Sequence, residues 1–86
     1  LKKQADQIKR ELDAALVDIQ EVNGIKISIT GSQNFRSIEI DGPLLAPENK
    51  GRLEADLLRS MNAAIKKSQT VAAQKMKDVM PGLPGM

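Results

Sequence analysis

Apolar residues in the first part of the chain alternate at intervals of four and three, which is the spacing of one face of an amphipathic helix. The charged residues between them fall on the other side, where they can pair along the helix. We therefore expect a helix over about residues 1–16. Its apolar face consists of Leu1, Ala5, Ile8, Leu12, Ala15 and Ile19.

The period of the pattern then changes to two, which is typical of a half-buried strand. Val17 and Ile19 alternate with polar residues, and so do the isoleucines of residues 25–30. Asn23-Gly24 separates the two runs, and this dipeptide between alternating segments indicates a β-hairpin. We expect a type I′ turn, which has positive φ at both central residues.

A third strand is expected at residues 35–40, after a second turn at residues 31–34. The result is a three-stranded antiparallel sheet with one apolar face, which needs a helix or another sheet as cover. Four isoleucines are expected to be buried on that face: Ile27, Ile29, Ile38 and Ile40.

The second half of the chain predicts one long helix, from Pro47 to about Val79. Proline suits the first helical position, where its missing N–H has no intrahelical partner to lose. About 32 residues at ~1.5 Å rise make a rod of roughly 48 Å, which is too long for a three-stranded sheet to cover. The far half must pack on another helix, from this chain or from a second one.

The apolar stripe of this second helix is interrupted by polar side chains. We interpret Asn62, Ser68 and Gln69 as partly exposed rather than as interhelical hydrogen-bonding groups. The stripe itself consists of Leu57, Leu58, Met61, Ala64, Ile65, Ser68, Val71, Ala72 and Val79.

Together these elements predict a single α+β domain over residues 1–80. Residues 81–86 form a Pro/Gly tail that cannot continue the helix and is expected to be flexible. Phe35 is the only aromatic residue, so the core must be aliphatic and small. Because so small a core commonly gains stability from a partner subunit, we expect a homodimer.

The amino-acid composition excludes most kinds of catalytic site. The chain has no Cys and no His, so it lacks a thiol nucleophile, the commonest general base and the commonest transition-metal ligand. Glu39 and Asp41 come nearest to paired carboxylates, but alternation puts them on one face of a strand that ends at a turn. We expect no enzymatic activity, no cofactor and no small-molecule substrate. The longest apolar run, residues 14–17, is too short for a membrane span, so no membrane partner is expected.

The net charge of +2 is unevenly distributed. Residues 1–10 carry +3, residues 11–22 carry −4 and residues 61–80 carry +3. If the two helices pack on one another they are antiparallel, so the two basic segments meet far from the sheet. This arrangement predicts basic arms that contain Lys2, Lys3, Lys9, Arg10, Lys66, Lys67, Lys75 and Lys77.

The central block of the sequence resembles a known family. Residues 26–31, residues 34–41 and Leu44-Leu45 resemble the corresponding block of the YbaB/EbfC family, and they lie between a charged first helix and a long Ala-rich second helix. The resemblance implies a homodimer held together through its strands, with paired helices that project like tweezers. It also implies double-stranded DNA binding in the bacterial cytoplasm, with a role in nucleoid organisation or transcription regulation.

The basic residues have two readings. From the residues alone they are either a solvated helix surface or a set of phosphate contacts, and the resemblance favours phosphate contacts by some of them. Such contacts carry no base information, so we expect little sequence dependence. The strands lack stacking aromatics, which argues against an RNA-binding sheet. Asn34 and Arg36 are interpreted as turn and strand-face residues.

A function from another class stays open at this point. A protein-interaction or chaperone-like adaptor could use the same helical arms and the tail. It would bind without a steep dependence on salt, whereas binding to DNA phosphates would weaken sharply as salt rises.

Overall fold

A computed structural model describes residues 2–79, and the side chains of Lys2 and Val79 lie outside that description, as does the expected tail at residues 81–86. Along the chain, an N-terminal helix is followed by a three-stranded antiparallel sheet and then by a long C-terminal helix. This order confirms the predicted α+β architecture. The elements are α1 (Lys2–Ala14), β1 (Leu16–Val22), β2 (Ile25–Thr30), β3 (Phe35–Ile40) and α2 (Lys50–Val79), with 3₁₀ turns at Gly42–Leu45 and Pro47–Asn49. Pro47 therefore begins a 3₁₀ turn, and α2 follows it.

The sheet has the order β1-β2-β3, with both neighbouring pairs antiparallel. Ile27 on the central strand pairs with Ile19 on one side and with Ile38 on the other. Directly opposed residues point to the same face, so this row crosses the apolar face of the sheet. The opposite face carries polar pairs such as Lys26 opposite Glu39.

The first hairpin closes differently from the prediction. Gly24 has a positive φ of 91°, but Asn23 does not, so the turn is not type I′. The pairing of β1 with β2 is irregular between Ile19 and Val22. Such an irregularity bends the strand before the turn, and one positive-φ residue then suffices to close the hairpin.

The core is formed where the central strand meets α2. Ile25, Ile27 and Ile29 are fully buried. The α2 residues on the buried side include a row of small side chains, Ser60, Ala64 and Ser68, all at most 1% exposed. A spacing of four keeps them on one helix face, and their small size lets the helix approach closely. Burial of each isoleucine side chain contributes about 1.5–3 kcal/mol.

The third strand lies largely outside this core. Helix α2 packs mainly against β1 and β2. Ile38 is 46% exposed and Ile40 is half-buried, so the prediction that both are buried is wrong for the single chain. Phe35 is 37% exposed on the same face. The strand register places these residues on the apolar face of the sheet, as predicted. Helix α2, however, does not extend far enough across the sheet to cover them.

The molecule is elongated, with principal extents of 53, 22 and 15 Å. Thirty residues of α2 account for about 45 Å of that length at ~1.5 Å rise per residue. No helix within residues 2–79 combines the length and the apolar character needed to cross a membrane.

The close packing of α2 on the sheet can be tested by enlarging one small side chain. Ala64→Leu should lower the free energy of unfolding by about 1–3 kcal/mol, because the added atoms have no space against the buried isoleucines. Ala73→Leu is the control, since Ala73 is exposed on the same helix and leucine is also a good helix former. Urea denaturation followed by circular dichroism measures the free energy of unfolding of both variants. Equal stabilities would contradict the close packing of α2 on the sheet.

Candidate functional site

The end of α1, the end of β2 and the middle of α2 meet at one place, which we call the junction (Ala15, Thr30, Gly31 and Ser68). The backbone N–H of Gly31 donates to the carbonyl of Ala15 at 2.9 Å. A Cβ on Gly31 would lie 3.2 Å from the carbonyl oxygen of Leu12, so glycine permits this close approach. The Ser68 hydroxyl donates to the carbonyl of Thr30 at 2.7 Å.

Ser68 is therefore a structural residue that the sequence interpretation missed. It is fully buried, whereas we expected it to be partly exposed. Its hydrogen bond supplies the partner that a buried hydroxyl requires. Asn62 and Gln69 are exposed, as expected. The available signal was the four-residue spacing of Ser60, Ala64 and Ser68, which places serine in a row of small inward-facing residues.

Beyond the junction the two helices pack on one another and form what we call the arm (residues 2–14 and 69–79). Helix α1 runs towards the junction and α2 runs away from it, which is the antiparallel arrangement that the element order predicts. The sheet occupies α2 up to the junction, so α1 covers the remaining part. That part extends about 16 Å past Ser68 at ~1.5 Å per residue.

The predicted basic residues divide between the arm and the body. Lys9 and Arg10 belong to α1, and Lys75 and Lys77 belong to the last turns of α2. Lys75 is half-buried. Lys2 also belongs to α1, but its side chain is not described. The exposed members of the predicted set are Lys3, Lys9, Arg10, Lys66, Lys67 and Lys77.

Lys66 and Lys67 do not lie on the arm, contrary to the predicted single cluster. They precede Ser68 and line a shallow depression beside β1, together with Ile19 and Glu21. The sheet covers α2 further along than the charge pattern suggested, so these two lysines belong to the flank of the body.

Arg59 lines the same depression and was not among the predicted residues. We call Arg59, Lys66 and Lys67 the flank group, and the arm residues Lys3, Lys9, Arg10, Lys75 and Lys77 the arm group. The signal for Arg59 was its position seven residues before Lys66, because seven residues make about two helical turns and return to the same face.

The carboxylates near these cations leave them largely unpaired. The ion pairs among residues 2–79 are Lys50–Glu54 at 2.7 Å and Arg52–Asp56 at 3.8 Å. Both lie near the start of α2, and neither includes a member of the flank group or the arm group. Exposed basic side chains that no carboxylate holds can bind an external anion without first breaking an ion pair.

The turn between β2 and β3 has a structural role. The backbone N–H of Asn34 donates to the Thr30 hydroxyl at 3.1 Å, and its carbonyl accepts the backbone N–H of Thr30 at 2.9 Å. Ser32 donates to a carboxylate oxygen of Asp13 at 2.6 Å and so ties the turn to α1. Arg36 is exposed where the pairing of β3 with β2 is irregular. Asn34 is a turn residue and Arg36 a strand-face residue, as interpreted.

A metal or cofactor site is not evident in the described part of the chain. Within residues 2–79, the acidic side chains do not gather in a group of three that could hold a metal ion. The depressions on the surface are open and shallow. The chemistry that this surface offers is the attraction of anions by long basic side chains.

Comparisons with known proteins agree over nearly the whole chain. The sequence model of the YbaB/EbfC DNA-binding family matches residues 1–83, which include both helices and the sheet. A nucleoid-associated protein of Flavobacterium johnsoniae is 36% identical over 86 residues, which cover 94% of this chain and 79% of the relative. A second protein of that name, from Corynebacterium jeikeium, is 33% identical over 84 residues, with 96% and 81% covered. A protein of Mycoplasma pneumoniae named as uncharacterized is 37% identical over 62 residues, with 72% and 62% covered.

Two buried serines on α2 allow a matched test of the junction. Ser68→Ala should lower the free energy of unfolding by about 1 kcal/mol, because it removes a buried hydrogen bond. The effect stays that small because the Thr30 carbonyl keeps the N–H of Gln33 as a donor. Ser60→Ala is the control: the Ser60 hydroxyl is buried and, among the described residues, has no hydrogen-bond partner. That change should be neutral or stabilising in chemical denaturation, and the reverse order of the two variants would contradict the anchoring role of Ser68.

Proposed function

Because the chain belongs to the YbaB/EbfC DNA-binding family, we propose that it is a non-enzymatic, nucleoid-associated protein that binds double-stranded DNA as a homodimer. The observation that carries this proposal is the family match across both helices and the sheet. The names of the two relatives as nucleoid-associated proteins support the cellular setting. Occupancy of DNA along the chromosome is then the route by which the protein organises the nucleoid or regulates transcription.

The physical basis for DNA binding is the supply of unpaired cations. The arm group and the flank group present lysine and arginine side chains that can neutralise phosphates and release condensed counterions. The free energy gained from counterion release is the same for every DNA sequence, because phosphate contacts position a protein without reading bases. Sequence-independent binding suits a protein that must cover many different stretches of a chromosome.

The proposed dimer rests on an apolar surface that a single chain leaves open. We call it the apolar edge: Phe35 and Ile38 of β3, and Leu58 and Met61 of α2. Leu58 is 64% exposed and Met61 is 36% exposed. Exposed apolar residues of this kind on a small protein mark an interaction site.

Helical geometry supports the grouping of these four residues. Arg59 and Lys67 lie on the side of α2 that faces β1, since they share a depression with Ile19. Leu58 and Met61 lie on the other side of the core-facing row, which is the side towards β3. Strand β3 is also an edge of the sheet, with unpaired backbone groups. A second copy related by a two-fold axis would cover both the apolar edge and this open strand.

The proposed dimer can be tested by introducing one charged side chain at the centre of the apolar edge. Sedimentation equilibrium of the unmodified protein at micromolar concentration should give about twice 9.4 kDa. Ile38→Glu should shift the mass towards one chain, because a carboxylate would be buried without a partner in the interface.

Leu16→Glu is the control for this experiment. Leu16 is 61% exposed on β1, the other edge strand of the sheet, and its pairing with Thr30 puts it on the opposite face of the sheet. The control should remain dimeric. A mass of 9.4 kDa for the unmodified, folded protein would contradict the proposed dimer.

The DNA prediction concerns salt. Fluorescence anisotropy with two unrelated duplexes should give similar affinities, and log K should fall with log salt by about 0.9 for each phosphate contact. A strong preference for one duplex would contradict sequence-independent binding. Absence of duplex binding at low salt, with a protein partner bound independently of salt, would instead indicate the adaptor function.

A further inference from the structure

The solvent-exposed side of α2 that borders β1 carries a regular series of cations. Arg52, Arg59 and Lys66 are seven residues apart, and Lys77 follows eleven residues later. Seven residues make about two turns and eleven make about three, so all four side chains return to one face. We call this series the back stripe. Its members are exposed, and it runs for about 38 Å at ~1.5 Å per residue, from the beginning of α2 to the end of the arm.

The back stripe has one acidic neighbour, Asp56, near its beginning. The acidic residues of α2 are Glu54, Asp56 and Asp78, and the helical spacing puts each of them on another face or beside the stripe. Asp56 reaches only Arg52, at 3.8 Å. The residues between the cations on this face are small or neutral, including Ala55, Ala63, Thr70 and Ala73.

The stripe also borders the depression beside β1. Arg59, Lys66 and Lys67 line it together with a single carboxylate, that of Glu21. Three cations around one carboxylate leave the depression positive. Basic residues of this face therefore occur both around the depression on the body and, at Lys77, on the arm.

The position of the stripe is compatible with the proposed dimer. Leu58 and Met61 lie at least about a quarter turn away from it around α2. A partner chain on the apolar edge would leave the back of the helix in solvent. Its length of about 38 Å is close to one turn of duplex DNA, which is about 34–36 Å.

We propose that DNA is bound along the whole back stripe of α2, from Arg52 through Arg59 and Lys66 to Lys77, and not by the arm tips alone. This inference rests on the proposed DNA-binding function and assigns that function a surface. The occupant is the sugar–phosphate backbone of a duplex, which lies along the helix from the body to the arm. Charge complementarity and matching length support this choice.

The test compares three double variants of the full chain with equal changes in net charge. Arg59→Gln with Lys66→Gln removes two cations from the middle of the stripe. Lys3→Gln with Lys75→Gln removes two from the arm group but none from the stripe. Lys26→Gln with Lys50→Gln is the control, because Lys26 is on the outer face of the sheet opposite Glu39 and Lys50 pairs with Glu54.

Affinity for a 30-base-pair duplex is measured over a series of salt concentrations. The stripe variant should bind about tenfold or more weakly at low salt, and its slope of log K against log salt should become shallower by about 0.9 for each phosphate that it no longer neutralises. The control should keep the affinity and slope of the unmodified protein. Circular dichroism and sedimentation equilibrium establish that each variant is folded and has the same mass as the unmodified protein.

Three results would overturn the inference and leave the proposed function intact. The stripe variant could bind as the control does while the arm variant is weakened, which would assign binding to the arm tips. The stripe variant and the control could lose affinity equally, which would show an effect of net charge alone. The stripe variant could keep duplex affinity but lose binding to phosphatidylglycerol vesicles, which would assign the stripe to a lipid surface. If the unmodified protein fails to bind the duplex at any salt concentration, the proposed function itself fails.

Discussion

The packing of three isoleucines of the central strand against a row of small residues on α2 determines the rest of the structure. Ile25, Ile27 and Ile29 are large and fully buried, and Ala64 at the centre of the opposing row is equally buried. A close-packed interface of this kind tolerates little change in volume, so it fixes where the helix lies on the sheet. Because the helix is centred over β1 and β2, it leaves β3 uncovered on one side. Because it is longer than the sheet, it also projects beyond it and provides one half of the arm.

Each side of α2 consequently has a different role. The inner side packs against the sheet and, past Ser68, against α1. The side towards β3 carries apolar residues that a single chain does not cover, such as Leu58. The back carries cations at two-turn and three-turn intervals. One periodic sequence therefore serves the core, the proposed dimer contact and the proposed DNA contact, and a substitution on one side need not disturb the others.

Most of the fold could be predicted from the sequence because it is written in local patterns. The change of period from helix to strand near Val17, the glycine at position 24 and the long stripe of α2 each depend on neighbouring residues. The errors concern relations between distant segments. Alternation gave Ile38 the correct face of the sheet, but only the placement of α2 determines that this face is open at β3. Likewise, the charge pattern identified Lys66 as basic surface, but its position beside β1 depends on how far the sheet covers the helix.

The sequence predicted which kind of residue forms the candidate site, but it predicted less well which parts of the surface the site covers. Counting charges along the sequence identified two basic segments, yet counting does not distinguish one helix face from another. Arg59 was missed for that reason: Glu54 and Asp56 precede it in the sequence and cancel its charge in a count, but among the ion pairs of residues 2–79 neither of them pairs with Arg59. Ser68 was missed because a serine in an apolar stripe is compatible with either a solvent-facing or a buried hydroxyl.

The continuity of α2 through the body and the arm has a mechanical consequence. No loop or glycine interrupts the helix between its seat on the sheet and its far end, so the arm has no hinge of its own. The helix acts as a stiff lever: a rotation of about 5° about Ala64 would move the end of the helix, ~22 Å away at ~1.5 Å per residue, by about 2 Å. Such a rotation would have to disturb a tightly packed interior, which resists it. In a complex with DNA, the adjustment of shape would therefore fall on the duplex, whose bending energy depends on its sequence. The shape of such a complex would then depend on how easily the duplex bends, even though the protein contacts only phosphates.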